Sequence, residues 1–254
     1  MQFIDTHCHC DFSAFDSDRD EILQHCRQAG LSVLIVPATQ AATWGRLLSI
    51  CAQHAELYPA LGLHPMFTAQ HQDDDLDRLA EHIEHHHPLA IGEIGLDFYH
   101  KSADRDRQIV LLEHQLILAQ EFDLPVIMHV RKAHDQVIAL LKKKPPRGGI
   151  IHAFNGSLQQ AKQYIELGFK LGFGGTLTYP DAHKIHRLAR EIAIENIVLE
   201  TDAPDMSPFE HRGERNSPEY LIESLRALAL LRQEDPAIIA AITTRNARDV
   251  FNLW

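Results

Sequence analysis

Ile4-Asp5-Thr6-His7-Cys8-His9 is a short apolar run that ends in two histidines, near the start of a 254-residue chain. Four later runs rich in branched aliphatic residues also end in a histidine or a carboxylate: Ala90-Ile91-Gly92-Glu93, Val126-Ile127-Met128-His129, Ile150-Ile151-His152 and Ile197-Val198-Leu199-Glu200-Thr201-Asp202. Each run is too short for a core helix and is typical of a buried strand. Ligand-type residues at the ends of five strands favour one polynuclear metal site. Its candidate ligands are His7, His9, Glu93, His129, His152 and Asp202.

Strand-like and helix-like segments alternate along the whole chain. The strands are predicted at residues 2–7, 32–37, 58–62, 88–93, 125–130, 149–152, 169–174 and 196–201. Helical patterns lie between them at 18–29, 43–55, 72–86, 103–121, 132–143, 157–167 and 182–193, and two more follow at 218–232 and 236–249. This alternation predicts parallel βα units, which could close into a barrel or form an open, doubly wound sheet.

The placement of the candidate ligands decides between these two architectures. An open sheet collects its ligands at one switch point, whereas these come from the first, fourth, fifth, sixth and eighth strands. Only a ring of strands brings such scattered ends to one centre. We therefore predict the α/β class and a (β/α)8 barrel of the TIM type, as one domain over residues 1–254.

Three helix starts carry capping signals. Ser157 is followed by Gln160 three residues later, which is the pattern of a capping box. Ser217-Pro218 and Asp235-Pro236 each combine an N-cap residue with a proline suited to the first helical position.

Composition narrows the classes of partner and compartment. The formal net charge of −11 argues against a broad grip on duplex DNA, which needs a basic footprint, but it leaves room for one nucleic-acid end held by a few arginines. No apolar run approaches the length of a membrane span, and a strand that begins by residue 3 leaves no room for a signal peptide. The four cysteines all lie in the first fifth of the chain, which favours reduced thiols. We expect a cytoplasmic protein with no membrane association and no obligate protein partner.

The first and fourth strands carry the most informative ligands. A strand places His7 and His9 on one face, where two imidazoles can chelate one cation, and turns Cys8 and Cys10 to the other face. Glycines flank Glu93, and a carboxylate with two oxygens can bridge two cations. Each histidine alone could equally be a hydrogen-bonded core residue, but the joint pattern favours metal binding.

Further strings extend this pattern along nearly the whole chain, and together they resemble the TatD family of metal-dependent hydrolases, within the amidohydrolase-like barrels. The strings are Phe3-Ile4-Asp5-Thr6-His7-Cys8-His9, Gly62-Leu63-His64-Pro65, Gly92-Glu93-Ile94-Gly95-Leu96-Asp97, His129-Val130-Arg131, His152-Ala153-Phe154-Asn155-Gly156, Glu200-Thr201-Asp202-Ala203-Pro204 and Arg212-Gly213-Glu214-Arg215-Asn216. Cys10, Met66 and Asp205-Met206 depart from the family pattern, and none of these departures removes a ligand. Asp205 adds negative charge beside the expected substrate groove.

The resemblance implies a site of two divalent cations held by the six candidate ligands, with Glu93 between them. It also implies phosphodiester hydrolysis, often as a deoxyribonuclease that acts from a 3′ end, so the expected substrate is a phosphodiester such as the end of a single strand. Imidazole ligands suit Zn²⁺, while the carboxylates admit Mg²⁺ or Mn²⁺.

Several residues then become candidates for catalysis and substrate binding. Asp202 is the expected proton acceptor for a metal-activated water. His64 could contact the phosphate or protonate the leaving group, or it could be a turn histidine before Pro65. Glu200 could orient a histidine ligand or pair with an arginine. Arg131, Arg212 and Arg215 are candidates for phosphate binding, because a guanidinium matches phosphate oxygens bidentately.

Three functions therefore compete. A metal-dependent phosphodiesterase or deoxyribonuclease is the first prediction. The alternative is hydrolysis of a carboxylic ester or amide, including aminoacyl-tRNA deacylation, because the same activated water attacks a carbonyl carbon. The third is a metal-binding scaffold without turnover, which the intact ligand set and the additional His64 disfavour.

Overall fold

A ring of eight parallel strands forms the centre of the molecule. The computed structural model describes residues 2–253. The strands are β1 Phe3–Asp5, β2 Leu31–Pro37, β3 Leu57–Leu61, β4 Ala90–Asp97, β5 Val126–Arg131, β6 Gly149–Ile151, β7 Phe169–Phe173 and β8 Ile197–Leu199. Each strand pairs in parallel with the next one along the chain. The prediction of a (β/α)8 barrel is confirmed.

Helices alternate with these strands and surround the ring. They are α1 Arg19–Ala29, α2 Trp44–Gln53, α3 Asp75–His86, α4 Arg105–Glu121, α5 His134–Lys143, α6 Leu158–Glu166, α7 His183–Glu191, α8 Leu221–Arg232 and α9 Pro236–Phe251. Their bounds agree with the predicted ranges to within a few residues. Within residues 2–253, no helix is both long enough and apolar enough to cross a membrane.

The capping signals had two outcomes. Ser157 and Gln160 form the predicted capping box at the start of α6, and the Asp235 side chain accepts from a backbone N–H in the first turn of α9. Ser217 behaves differently, because its hydroxyl makes no capping hydrogen bond. A short 3₁₀ turn at Pro218–Tyr220 follows it, and α8 begins only at Leu221.

The interior of the barrel is a packed apolar layer rather than a pore. Seven strands each contribute one buried side chain to it, and each of these is at most 3% exposed: Ile4, Ile35, Ala60, Ala90, Ile127, Ile150 and Val198. Ala247 and Phe251 of α9 pack against this layer and cover one end of the interior. Because side chains alternate along a strand, the next inward position after Ile127 in β5 is His129, and the next after Ile150 is His152, just past the end of β6. In β4 the pairing register shifts between Ile91 and Ile94, so the position of Glu93 does not follow from Ala90 by simple alternation.

The ring is nearly closed where the end of β8 meets the end of β1. The N–H and the hydroxyl of Thr6 both donate to the carbonyl of Leu199, each at 3.0 Å. One step further along, the N–H of Asp202 donates to the carbonyl of His7 at 2.8 Å. These bonds bring the first and last ligand-bearing segments of the chain side by side.

The first strand is shorter than predicted, because β1 ends at Asp5 rather than at residue 7. The Asp5 carboxylate is fully buried and accepts from the N–H of His7 at 3.1 Å, which turns the chain out of the strand. It also accepts from the N–H and the hydroxyl of Thr201, at 3.0 and 2.5 Å. His7 and His9 therefore lie in a loop, and strand alternation is not the reason that they point the same way.

Replacing Asp5 should destabilise the barrel at this seam. Asp5→Ala leaves three buried donors of His7 and Thr201 without an acceptor, so we expect the metal-free protein to lose about 2–4 kcal/mol of unfolding free energy. Asp5→Asn is the matched control, because its amide still offers one acceptor oxygen and can donate to the Thr201 hydroxyl. Urea denaturation in the presence of a chelator measures both. Equal unfolding free energies for Asp5→Ala and the wild type would contradict the role given to Asp5 in joining β1 to β8.

Candidate metal centre

All six candidate ligands converge at one end of the barrel, and His64 joins them. Three sets of side chains have ligand atoms within 4.8 Å of one another: His7, Glu93 and His152; His7, His9 and Asp202; and His64, Glu93 and His129. These side chains come from the ends of β4 and β5 and from the segments that follow β1, β3, β6 and β8. In a barrel of this type that end of the strands is where active sites are built.

The first part of the cluster lies at the seam between β1 and β8. The Nε2 atoms of His7 and His9 are 3.2 Å apart. Glu93 Oε2 is 3.2 Å from His7 Nε2 and 3.5 Å from His9 Nε2. Asp202 Oδ1 is 3.5 and 3.7 Å from the same two nitrogens. Two imidazoles and two carboxylates thus face one point.

The second part of the cluster uses the other oxygen of Glu93. Glu93 Oε1 lies 3.1 Å from His129 Nδ1 and 3.2 Å from His64 Nε2. The two oxygens of one buried carboxylate therefore face two different sets of histidines. This is the geometry that a carboxylate shared by two cations requires.

His152 completes the cluster between these two parts. Its ring stacks on that of His7, with centroids 3.7 Å apart, and its Nε2 lies 3.5 Å from Asp202 Oδ2. On the other side of the ring, Nδ1 is 2.9 Å from Glu200 Oε1. The carboxylate of Glu200 fits there because Gly172 has no side chain, and a Cβ at that position would lie 2.2 Å from Glu200 Oε2. Of the two roles considered for Glu200, the structure places it against a histidine ligand.

Outward contacts of the histidines determine which nitrogen is free to bind a cation. His9 Nδ1 lies 3.1 Å from the Pro37 carbonyl, to which it must donate, so in the neutral ring that binds a cation the lone pair is on the inward Nε2. His129 Nε2 lies 3.0 Å from Asp97 Oδ2, which favours the proton on that nitrogen and leaves the lone pair on the inward Nδ1.

His64 has the opposite arrangement. The N–H of Met66 donates to His64 Nδ1 at 3.2 Å, so in the neutral ring the proton is on Nε2, the nitrogen that faces Glu93. Burial lowers the pKa of His64 to about 4, which keeps the ring neutral near pH 7. A nitrogen that carries a proton is a hydrogen-bond donor and not a ligand. His64 is therefore equipped to donate a hydrogen bond into the centre.

The electrostatics of the cluster fit divalent cations. Burial works to raise the pKa of Glu93, but the adjacent His64 and His7 hold it well below its usual range, and His152 does the same for Asp202. Burial likewise opposes charge on His9, yet Glu93 and Asp202 raise its pKa to about 9. In the metal-free protein, protons on imidazoles thus balance the buried carboxylates, and divalent cations can take their place.

Sequence reasoning missed one functional residue, Asp97. It fixes the proton of His129 as described, and it accepts from the N–H of Tyr99 at 2.9 Å. The sequence does carry a signal for Asp97, which is its spacing of four residues from Glu93. Because β4 continues to Asp97, this spacing places the two carboxylates on the same side of the strand. The strand predicted at residues 88–93 therefore extends four residues further than expected.

A cleft of about 560 Å³ opens above the cluster. Arg131 lies in its wall, with Cζ 3.6 Å from the centroid of the Tyr99 ring. The structure does not bring Arg212 and Arg215 into the lining of the cleft. Arg215 instead donates to both carboxylate oxygens of Asp18, at 3.0 and 2.6 Å, and Arg212 lies 6.0 Å from the ring of Tyr179.

A parallel barrel with a buried histidine and carboxylate cluster at this end is the architecture of a metal-dependent hydrolase. Residues 4–252 match the family described as TatD related DNase. The chain is 42% identical to the uncharacterized metal-dependent hydrolase YjjV of Escherichia coli K12, over 99% of this chain and 98% of that protein. The crystal structure of YjjV superposes with a TM-score of 0.95, over 99% of this chain and 98% of that one. The chain is also 32% identical to the 3′-5′ ssDNA/RNA exonuclease TatD of Erwinia tasmaniensis, over 94% and 95% of the two chains.

The protein belongs to the TatD family and is a metal-dependent hydrolase. The resemblance drawn from the sequence is thereby confirmed.

Replacing Asp97 should weaken metal binding although Asp97 contacts the nitrogen of His129 that points away from the centre. In Asp97→Asn an amide donor faces His129 Nε2, so the ring is driven to carry its proton on Nδ1 and loses its inward lone pair. We expect affinity for a divalent cation to fall about 10–100-fold. Calorimetric titration with Zn²⁺ measures this, and Asp106→Asn on the exposed first turn of α4 is the charge-matched control. An unchanged affinity would show that Asp97 does not orient His129.

Proposed function

We propose that this protein is a divalent-metal-dependent phosphodiesterase that removes nucleotides from the 3′ end of single-stranded nucleic acid. One observation carries the proposal: the two oxygens of Glu93 face two separate sets of ligand atoms beneath a cleft that contains an arginine. Centres with two cations that share a ligand serve in-line displacement at phosphorus. The name of the Erwinia relative, a 3′-5′ ssDNA/RNA exonuclease, supports the same substrate class.

The assignment of ligands follows from the inward-facing atoms. We assign one cation to His7, His9, Asp202 and Glu93, and the other to Glu93 and His129. His152 has a ligand atom within 4.8 Å of those of both His7 and Glu93, and we assign it to the second cation because the first already has four ligands. When bound, such a pair would lower the pKa of a water between the cations and neutralise charge on the phosphoryl oxygens. The imidazoles favour Zn²⁺, and the two carboxylates also suit Mn²⁺ or Mg²⁺.

Asp202 is assigned the transfer of a proton, and His64 is assigned a hydrogen bond to the leaving group. The water oxygen forms a bond to phosphorus while the bond from phosphorus to the sugar oxygen of the preceding nucleotide breaks. Asp202 accepts the proton of the water, because its carboxylate is anionic and its two oxygens differ in surroundings: Oδ1 lies near His7 and His9, and Oδ2 lies 3.5 Å from His152 Nε2. His64 stabilises the departing sugar oxygen with a hydrogen bond from Nε2, in keeping with its tautomer, and that oxygen takes up its proton from solvent water.

Arg131 is assigned to the phosphate. Among the described residues that line the cleft it is the one arginine or lysine. Its stack on Tyr99 and the Asp97 carboxylate, 3.9 Å from Nη1, limit the positions of the guanidinium. A guanidinium held in this way gives two parallel hydrogen bonds to a phosphate.

A panel of three substrates tests the proposal and its alternative. Metal-loaded protein is assayed on a single-stranded oligonucleotide, on bis(4-nitrophenyl) phosphate and on 4-nitrophenyl acetate, with and without a chelator. We expect chelator-sensitive cleavage of the first two, with mononucleotides released from the 3′ end. Hydrolysis of the carboxylic ester without cleavage of either phosphodiester would instead support the esterase or deacylase alternative.

Replacing His64 distinguishes a hydrogen-bond donor from a metal ligand. In His64→Asn the shorter side chain cannot reach the position of Nε2, so we expect kcat on the oligonucleotide to fall about 10²–10⁴-fold. We expect the bound metal, measured by atomic emission, to stay at the wild-type stoichiometry. His64→Gln is the comparison, because its amide can donate a hydrogen bond from that position but cannot transfer a proton. Loss of one metal equivalent in His64→Asn would identify His64 as a ligand and contradict the assignment.

Replacing the arginines tests where the substrate lies. Arg131→Ala should raise KM for the oligonucleotide about tenfold or more, since it removes charge-assisted hydrogen bonds to phosphate. Arg215→Ala should alter KM little, because Arg215 is occupied by Asp18 outside the cleft. Arg212→Ala is the third member of the series. A larger rise in KM for Arg215→Ala than for Arg131→Ala would place the strand on the other side of the molecule.

A further inference from the structure

The walls of the cleft carry opposite charges. Arg131 is the last residue of β5, and Asp205 lies in the segment that follows β8, and both line the cleft. In a ring of eight strands, β5 and β8 are three positions apart and so lie on nearly opposite sides. A strand of nucleic acid that enters this cleft therefore meets a cation on one side and an anion on the other.

The wall at β5 suits the body of a single strand. Arg131 is 42% exposed and Tyr99 is 52% exposed, and the two side chains stack at 3.6 Å. An exposed guanidinium on an aromatic ring combines a phosphate contact with a flat surface for a base, as in proteins that bind single strands.

The wall at β8 is formed by the loop that follows this strand, and hydrogen bonds within the loop hold its backbone in place. Asn216 Nδ2 donates to the carbonyls of Thr201 and Asp205, at 2.9 and 2.7 Å. The N–H of Asp205 donates to the carbonyl of Asp202 at 2.9 Å. The backbone on both sides of the Asp205 side chain is thus fixed three residues from a metal ligand.

The Asp205 carboxylate itself has no partner. Between residues 2 and 253 it makes no hydrogen bond or ion pair, although it is exposed in the cleft wall. A shallower groove continues past Met206, and the charged residue in its lining is Asp181. A strand that continued in this direction would bring its phosphates against two carboxylates, which is unfavourable.

We propose that Asp205 determines end specificity: it accepts a hydrogen bond from the free hydroxyl of the terminal nucleotide and excludes a phosphate from that position. This inference rests on the proposed nuclease function. A hydroxyl is a donor that a carboxylate can accept, whereas a terminal phosphate brings like charge to the same place. The cleft then admits a strand only by its end, with the remainder leaving past Arg131 and Tyr99.

The test compares two oligonucleotides that differ only at the 3′ end. Both are single-stranded and carry a 5′ fluorophore, and one ends in a 3′-hydroxyl while the other ends in a 3′-phosphate. We expect the metal-loaded wild type to prefer the hydroxyl end by about tenfold to a hundredfold in kcat/KM, from like-charge repulsion. In Asp205→Asn, which keeps the shape and removes the charge, we expect the ratio to fall to within about threefold of unity.

Asp249→Asn on α9 is the matched control, because it removes one negative charge where α9 packs beneath the barrel interior. It should keep the wild-type ratio. The ratio is measured within each variant, so a change in folding or metal content does not mimic the effect. Equal rates on both ends in the wild type, or an unchanged ratio in Asp205→Asn, would overturn the inference while leaving the nuclease proposal intact. Cleavage of neither oligonucleotide would overturn both.

Discussion

Closure of the ring between β8 and β1 is the contact on which the remaining structure depends. The hydrogen bond from Asp202 to the His7 carbonyl joins residues almost two hundred positions apart in the chain. It places the Asp202 carboxylate, just past the end of β8, beside His7 and His9, which follow β1. Neither segment alone supplies this set of two imidazoles and a carboxylate. The buried Asp5 carboxylate reinforces this contact through His7 and Thr201. The hydrogen bonds that join β8 to β1 thus also bring the side chains of the cluster together.

Hydrogen bonds that face away from the centre determine how its histidines behave. A backbone carbonyl fixes His9 and the Asp97 carboxylate fixes His129, so each ring turns a lone pair inward, whereas a backbone N–H gives His64 the opposite tautomer. The same residue type is thereby prepared for two different tasks within a few ångströms. This division explains how a cluster with five histidines can hold cations and still keep one donor for the substrate.

The chain as a whole is acidic, whereas the function proposed for the cleft requires it to bind a negatively charged phosphodiester. The two are compatible because charge is distributed unevenly. A net charge of −11 gives no general attraction for nucleic acid, and one arginine in the cleft lining provides a local one. Under the proposal made for Asp205, its charge on the opposite wall would limit how far a polyanion extends through the site. A protein of this kind would select a short terminal segment rather than a long duplex.

The sequence by itself determined the class of fold and the candidate ligand residues that the structure brings together in one buried cluster. Strand and helix periodicity is local, and residues such as Glu93 and His129 directly follow the apolar residues of β4 and β5, so both could be recognised from neighbouring residues. The tertiary structure alone decided which nitrogen of each ring faces inward, that β1 ends at Asp5, that Asp97 supports His129, and that Arg215 pairs with Asp18 outside the cleft. Each of these outcomes depends on a partner that is distant along the chain or on a side-chain direction. Hydrogen bonds between such groups can form only when the folded barrel brings the partners together.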